Sequence, residues 1–147
     1  TINRRALSSS ELKQKLIDKN FTQEVAQQTT DKMINMSYID DEAYARAVMR
    51  QISLSKPAGP RLIRQKLNAK KLDHALINRL IEEYEQNTKE NSDEVDEKLL
   101  KLAQTRLNRM SNLDKNTKKR RLYSLLARRG FYPEQIASVL NKTIDIE

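Results

Sequence analysis

The sequence predicts an all-α fold, an elongated curved array of tandem three-helix repeats with no sheet. Three observations carry that expectation. Two glycines and three prolines in 147 residues leave few turn-formers, and Leu, Lys, Arg, Glu and Gln are abundant, as helices prefer. No run alternates with the two-residue period of a strand. Residues 40–85 also fall without a gap onto residues 99–144 when shifted by 59 positions. The shift superimposes Ile63 on Leu122, Leu67 on Leu126, Leu72 on Phe131, Ile77 on Ile136 and Leu80 on Val139. A fixed internal period marks units too small to bury their own apolar faces, which stack to share a core.

The elements follow from local signals. Ser8–Ser10 supplies an N-cap for a first helix over about Ser9–Lys19, with Leu12 and Leu16 one turn apart. A second is expected over Gln23–Asn35, where Val25, Thr29 and Met33 share a face. Asp40 and Asp41 open a third by accepting from orphan N–H groups, and Glu42 adds charge that suits the helix dipole. Lys56-Pro-Ala-Gly-Pro60 is a break and restart, with proline at the first helical position of a fourth helix that runs to about Lys70. Leu76, Ile77, Leu80, Ile81 and Tyr84 stripe a fifth over about Ala75–Glu85. Gln86–Glu94 reads as an acidic linker. The sixth helix carries Val95, Leu99, Leu102, Ala103, Leu107 and Met110, followed by a seventh at about Thr117–Arg129 and an eighth at about Pro133–Lys142.

The early residues Leu12, Leu16 and Phe21 align with Ile63, Leu67 and Leu72 at a 51-residue offset. The chain therefore divides into 1–39, a first repeat whose leading helix is absent or upstream of Thr1, then 40–87 and 88–147. Phe21, Leu72 and Phe131 share a turn position at which a bulky side chain plugs each unit. Asn20, Lys71 and Gly130 precede them where a left-handed residue commonly ends a helix, at a cost of about 1 kcal/mol or more for Lys71.

Formal net charge is +8, and the charges are segregated. Residues 43–72 hold no acid but eight cations: Arg46, Arg50, Lys56, Arg61, Arg64, Lys66, Lys70 and Lys71. Residues 115–133 repeat the pattern with Lys115, Lys118, Lys119, Arg120, Arg121, Arg128 and Arg129. Arg4, Arg5, Lys13, Lys15 and Lys19 add a weaker N-terminal copy. A single basic block is ordinarily a solvated helix face. Recurrence at equivalent repeat positions favours a stripe that follows a polyanion. Tyr132 is the one aromatic expected to be exposed, which gives little support for base stacking; Tyr38, Tyr44, Tyr84 and Tyr123 are expected in the core with a polar tip.

Catalytic chemistry is not apparent, and no enzyme is expected. His74 is the sole histidine, so no histidine triad is possible, and it reads as a surface or capping residue. Gly59 and Gly130 fit no phosphate-cradling motif. Asp40-Asp41-Glu42 is better explained by capping than by a metal, and no cofactor or metal is expected. The absence of cysteine suits a reducing cytoplasm, and no apolar run is long enough to cross a membrane.

With these residues in view, the chain resembles the RecX family of bacterial regulators of the RecA recombinase. The resemblance rests on Tyr38-Ile-Asp-Asp-Glu-Ala-Tyr-Ala-Arg46, Lys56-Pro-Ala-Gly-Pro-Arg-Leu-Ile-Arg-Gln-Lys-Leu67, Ala69-Lys-Lys-Leu-Asp73, and the stretch from Ser9-Ser-Glu-Leu12 to Lys19-Asn-Phe21. Ser37, Asn20 and Lys71 depart from the family's usual glycine. The resemblance implies a curved monomer that lies in the groove of a RecA–DNA filament and suppresses ATP hydrolysis and strand exchange. DNA, single- or double-stranded and read without sequence preference, would be a secondary partner. Pattern and charge together nominate Arg46, Arg50, Arg61, Arg64, Lys66, Lys118, Lys119, Arg120, Arg121, Arg128 and Arg129 for the binding surface. The competing reading is a helical protein that binds DNA directly, without a recombinase.

Overall fold

The computed structural model describes residues 7–144, so Arg4 and Arg5 lie outside the described residues. Among these, eight helices form and no strand does: α1 (Ser9–Asp18), α2 (Gln23–Asn35), α3 (Asp41–Ser53), α4 (Pro60–Ala69), α5 (His74–Glu90), α6 (Ser92–Asn108), α7 (Lys115–Arg128) and α8 (Pro133–Thr143). The all-α, tandem-helix expectation is met. The helices belong to two compact units. One comprises the segment up to Gln51 with Lys66–Leu80, and the other Ile52–Gln65 with the segment from Ile81 onward.

The expected linker is helical instead. α5 continues to Glu90 and α6 opens at Ser92, leaving only Asn91 between them. Polarity misleads here because Glu, Gln and Lys are good helix formers on a solvated face. Gln86 donates to Glu90 at 3.2 Å, Thr88 Oγ1 to the Tyr84 carbonyl at 2.9 Å, and Lys98 pairs with Glu94 at 3.2 Å. These are one-turn contacts that support a helix locally.

Five apolar pairs of the 59-residue echo are buried: Ile63 and Leu122, Leu67 and Leu126, Leu72 and Phe131, Ile77 and Ile136, Leu80 and Val139. Val48 and Leu107, which the same shift superimposes, are half-buried, and Leu54, superimposed on Leu113, is exposed. Around Leu122, Leu126, Phe131, Ile136 and Val139, helix α6 adds Leu99 and Ala103, and Ile144 just past α8 joins the same cluster. Phe21, by contrast, is 49% exposed and plugs nothing. A plug needs a leading helix to close over it, and among the described residues none precedes α1. Its pair, α1 with α2, buries small residues, Ala26 and Thr30, while Val25 of the expected face stays exposed.

In the first unit the serine run does three jobs. Ser8 Oγ accepts from Glu11 N and caps α1; Ser9 gives its N–H and hydroxyl to the two Asp41 carboxylate oxygens at 2.7 and 2.5 Å; Ser10 Oγ donates to the Lys71 carbonyl at 2.9 Å. Of the three acids opening α3, only Asp40 caps as expected, accepting from Ala43 N at 3.1 Å. Asp41 serves Ser9, and Glu42 holds Arg79 at 2.7 Å and Arg46 at 3.1 Å. Those guanidiniums, Arg79 first, keep the Glu42 carboxyl below the usual carboxylate range. Asn20, Ser37 and Lys71 take positive φ of 70°, 59° and 57°, and Gly130 takes 88°, so the left-handed helix ends expected at Asn20, Lys71 and Gly130 form.

The second unit contains a junction of two helix ends. Helix α4 leaves orphan N–H groups at its start, and α7 leaves orphan carbonyls at its finish. They satisfy each other: Gly59 N donates to Arg129 O at 2.7 Å, and Arg61 N to Gly130 O at 3.1 Å. Opposite dipole ends meet at the same point. The backbones approach so closely that a Cβ on Gly59 would overlap the Gly130 carbonyl, and a Cβ on Gly130 would overlap Leu62. Both glycines of the chain are spent at this contact. Gly130→Ala, which adds a left-handed penalty to that overlap, is expected to cost about 2 kcal/mol or more. Urea denaturation measures it, and a midpoint equal to that of the unsubstituted protein would contradict the junction.

Candidate functional site

The fold sorts the basic residues nominated from sequence by what surrounds each. Five arginines line a single groove of about 380 Å³ between α6 and α7: Arg106, Arg109, Arg120, Arg121 and Arg128. Met110, Ser124 and Leu125 complete the lining together with Leu122, and no carboxylate takes part. Three of the five were nominated. Arg106 and Arg109 were missed because they lie outside the acid-free block, on the preceding helix. Their three-residue spacing at the end of α6, with Arg109 as its C-cap, was the available signal, since it places both toward one side of that helix.

Lys118 belongs elsewhere, in a separate depression with Lys115, Gln104, Asn108 and Thr143. Lys119, of the same helix turn, is half-buried and lines neither place. Arg61 lies over the Tyr132 ring, its guanidinium carbon 5.2 Å from the centroid, a cation–π geometry worth about 0.5–1 kcal/mol at an exposed site. Tyr132 is not the open stacking platform expected of it. It is half-buried, and its hydroxyl donates to Glu85 at 2.7 Å. That bond and, after it, desolvation raise the phenol above its ordinary value, while the charges of Arg64 and Arg61 pull the other way. Arg64 and Arg61 are both exposed.

Arg46, Arg50 and Lys66 belong to the first unit. Arg46 is held by Glu42, whereas Arg50 and Lys66 are exposed. The exposed aromatics are Phe21, Tyr38 and Tyr123, against the expectation that Tyr38 and Tyr123 are core; Tyr38 is 65% exposed. Tyr44 is buried and Tyr84 half-buried, each with a bonded polar tip, Tyr44 bonding Glu11 at 2.7 Å and Tyr84 the Ala58 carbonyl at 2.5 Å. Burial raises the Tyr84 phenol, with Ser53 opposing.

Arg129 differs from every other nominated cation. Its guanidinium donates to three backbone carbonyls, those of Pro57 at 3.0 Å, Lys56 at 3.0 Å and Ile52 at 3.2 Å. The side chain pins the α3–α4 loop beside the glycine junction, so its donors are turned inward to the protein. Arginine alone combines five donors in a fixed fork with permanent charge, which is why a lysine could not span the three oxygens.

This arrangement defines a class: a tandem three-helix protein with a carboxylate-free arginine groove and no helix, among the described residues, long and apolar enough to cross a membrane. Comparison with known proteins then makes the assignment specific. Residues 40–80 match the second three-helix domain of RecX, and residues 93–140 match the third. A regulatory protein RecX of Pelodictyon phaeoclathratiforme is 29% identical over 136 residues, covering 92% of this chain and 79% of that one. Another from Chlorobium phaeobacteroides is 23% identical over 96% of this chain and 87% of its own length. The crystal structure of RecX from Lactobacillus salivarius shares the fold, with a TM-score of 0.76 over 99% of this chain and 90% of that one at 21% identity. The chain belongs to the RecX family.

Two variants distinguish the roles assigned to these arginines. Replacing Arg129 by Met strips the α3–α4 loop of three charge-assisted bonds and is expected to cost about 2 kcal/mol, a drop in Tm of roughly 4–8 °C for a chain of this size. Arg120→Glu with Arg121→Glu, both exposed, is expected to leave Tm within about 2 °C. Thermal melts followed by circular dichroism read both.

Proposed function

We propose that this protein binds the filament that the RecA recombinase forms on DNA and lowers its ATP hydrolysis and strand exchange. Five arginines in one groove with no carboxylate among the lining residues is the observation that carries the reading. Guanidinium groups recognise phosphate and carboxylate oxygens bidentately, and a nucleoprotein filament presents both. The relatives carry the name regulatory protein, which agrees with a chain that acts on another protein rather than on a small substrate. Arg61 and Arg64 offer exposed cations on α4, and Arg50 and Lys66 add two in the first unit. Residues 1–39, 40–87 and 88–147 would act as successive repeats along the partner.

The same groove suits a second reading, direct binding to naked DNA, because phosphodiesters alone could fill it. The two part on the role of the recombinase. Titration of the protein into RecA assembled on single-stranded DNA is expected to suppress ATPase at or below one protein per recombinase subunit. Arg120→Glu with Arg121→Glu should weaken suppression by about tenfold or more, a loss of the size that breaking charged interface pairs produces. Unchanged ATPase and strand exchange across the titration would refute the reading. Sequence-selective duplex binding that falls steeply with salt, found without any effect on the recombinase, would establish direct DNA binding in its place.

A further inference from the structure

A second concave surface lies in the same unit, of different chemistry from the arginine groove. It encloses about 560 Å³ between the α3–α4 loop and helices α5 and α6, within the range of roughly 300–1,000 Å³ that binding pockets occupy. Leu54, Pro57, Ala58, Val95, Leu102 and Phe131 give it apolar walls. Lys56, Lys98 and Lys101 stand around these walls, and no acidic residue lines it. Leu54 is 77% exposed, so its side chain is open to whatever enters the slot.

The groove is preformed. Arg129 fixes the loop wall through the Ile52, Lys56 and Pro57 carbonyls, and the Tyr84 hydroxyl fixes it through the Ala58 carbonyl. A wall held from behind in this way gives up little entropy when something docks against it. The lining has no aromatic face open to a nucleobase, because Phe131 is buried and Tyr84 half-buried, so stacking on a platform is not offered. An apolar slot flanked by ammonium groups complements a chain segment that carries apolar anchors among carboxylates.

We infer that this groove is a docking site for an acidic amphipathic peptide segment of a partner protein, with Leu or Phe anchors entering between Leu54 and Leu102 and carboxylates meeting Lys56, Lys98 and Lys101. Lys98 already pairs with Glu94 at 3.2 Å, and both side chains are mostly exposed; surface pairs of this kind exchange at little cost. On α6, Val95, Lys98, Leu102 and Thr105 recur at helical spacing, and Arg109 at its C-cap continues the row. A segment lying along that helix would therefore reach from the apolar slot to the arginine groove. The site adds a protein-recognition surface to the anion-recognising one and does not depend on the recombinase reading.

The test needs no recombinase. A synthetic fluorescent peptide with Leu and Phe at i, i+3 and i+4 spacing among Asp and Glu is titrated with the whole chain and followed by anisotropy. A control peptide keeps the acids and replaces every apolar residue by Ser. The amphipathic peptide is expected to bind at least about tenfold more tightly than the control. Leu54→Ser and, separately, Lys101→Glu are each expected to weaken it by about tenfold, losses of hot-spot size. Both positions are exposed, and circular dichroism of each variant confirms its fold; amide shifts of Leu54, Ser55 and Thr105 on adding the peptide give a readout free of substitution. Equal binding of the two peptides would overturn the proposal by reducing it to net charge. Full binding by both variants, or shifts confined to the arginine groove, would overturn it as well.

Discussion

The second unit depends on the meeting of two helix ends through a pair of glycines. Where α7 stops, its last carbonyls have no partners within the helix, and where α4 starts, its first N–H groups have none either. Docked end to end, they bond to each other through Gly59 N to Arg129 O and Arg61 N to Gly130 O. No side chain fits between them. The same step aims Arg129 at the loop, positions Phe131 to enter the core, and brings Tyr132 beneath Arg61. Four consecutive residues, Arg129 to Tyr132, thus connect helix termination, loop geometry, core packing and surface charge.

That economy explains why cations so similar in sequence end in such different places. Arg128 and Arg129 are neighbours on one helix end, yet one lines the arginine groove and the other is absorbed by backbone carbonyls. Helical rotation of about 100° per residue separates their directions. What each then does is set by what stands opposite: an arginine-bearing face of α6 in one case, the loop carbonyls in the other. A charged residue near a backbone crossing is used to satisfy it, because an unpaired buried carbonyl costs more than one exposed cation contributes.

Two of the concave surfaces of this unit differ in chemistry. One is lined by guanidinium groups and suits oxyanions; the other is apolar with ammonium groups at its edge. Helix α6 contributes to both, and residues 86–94, which precede its lining positions, are helical except at Asn91 and rich in acids. No acid lines either surface, and Glu94 reaches Lys98 at the edge of the apolar one from the preceding turn of α6. Segregated charge of this kind sets the sign of the field that a partner meets.

The sequence alone determined the helical class, nearly every helix boundary and the repeated core. Apolar spacing and chain breakers are local signals: the buried pairs from Ile63 with Leu122 to Leu80 with Val139 are visible as a 59-residue echo, and Asn20, Lys71 and Gly130 announce left-handed helix ends. Local signals also mislead where polarity is mistaken for a loop, as at Gln86–Glu94, because a solvated helix face and a linker share a composition. Tertiary structure decided the fate of side chains whose partners lie far away in the chain. Phe21 matches Leu72 and Phe131 in pattern but stays exposed; Asp41 turns from its own helix to Ser9; Arg129 serves a loop 72 to 77 residues away; Arg106 and Arg109 join three arginines of the next helix. A helix face is written in a single turn of sequence, whereas what that face meets depends on how separate turns are brought together.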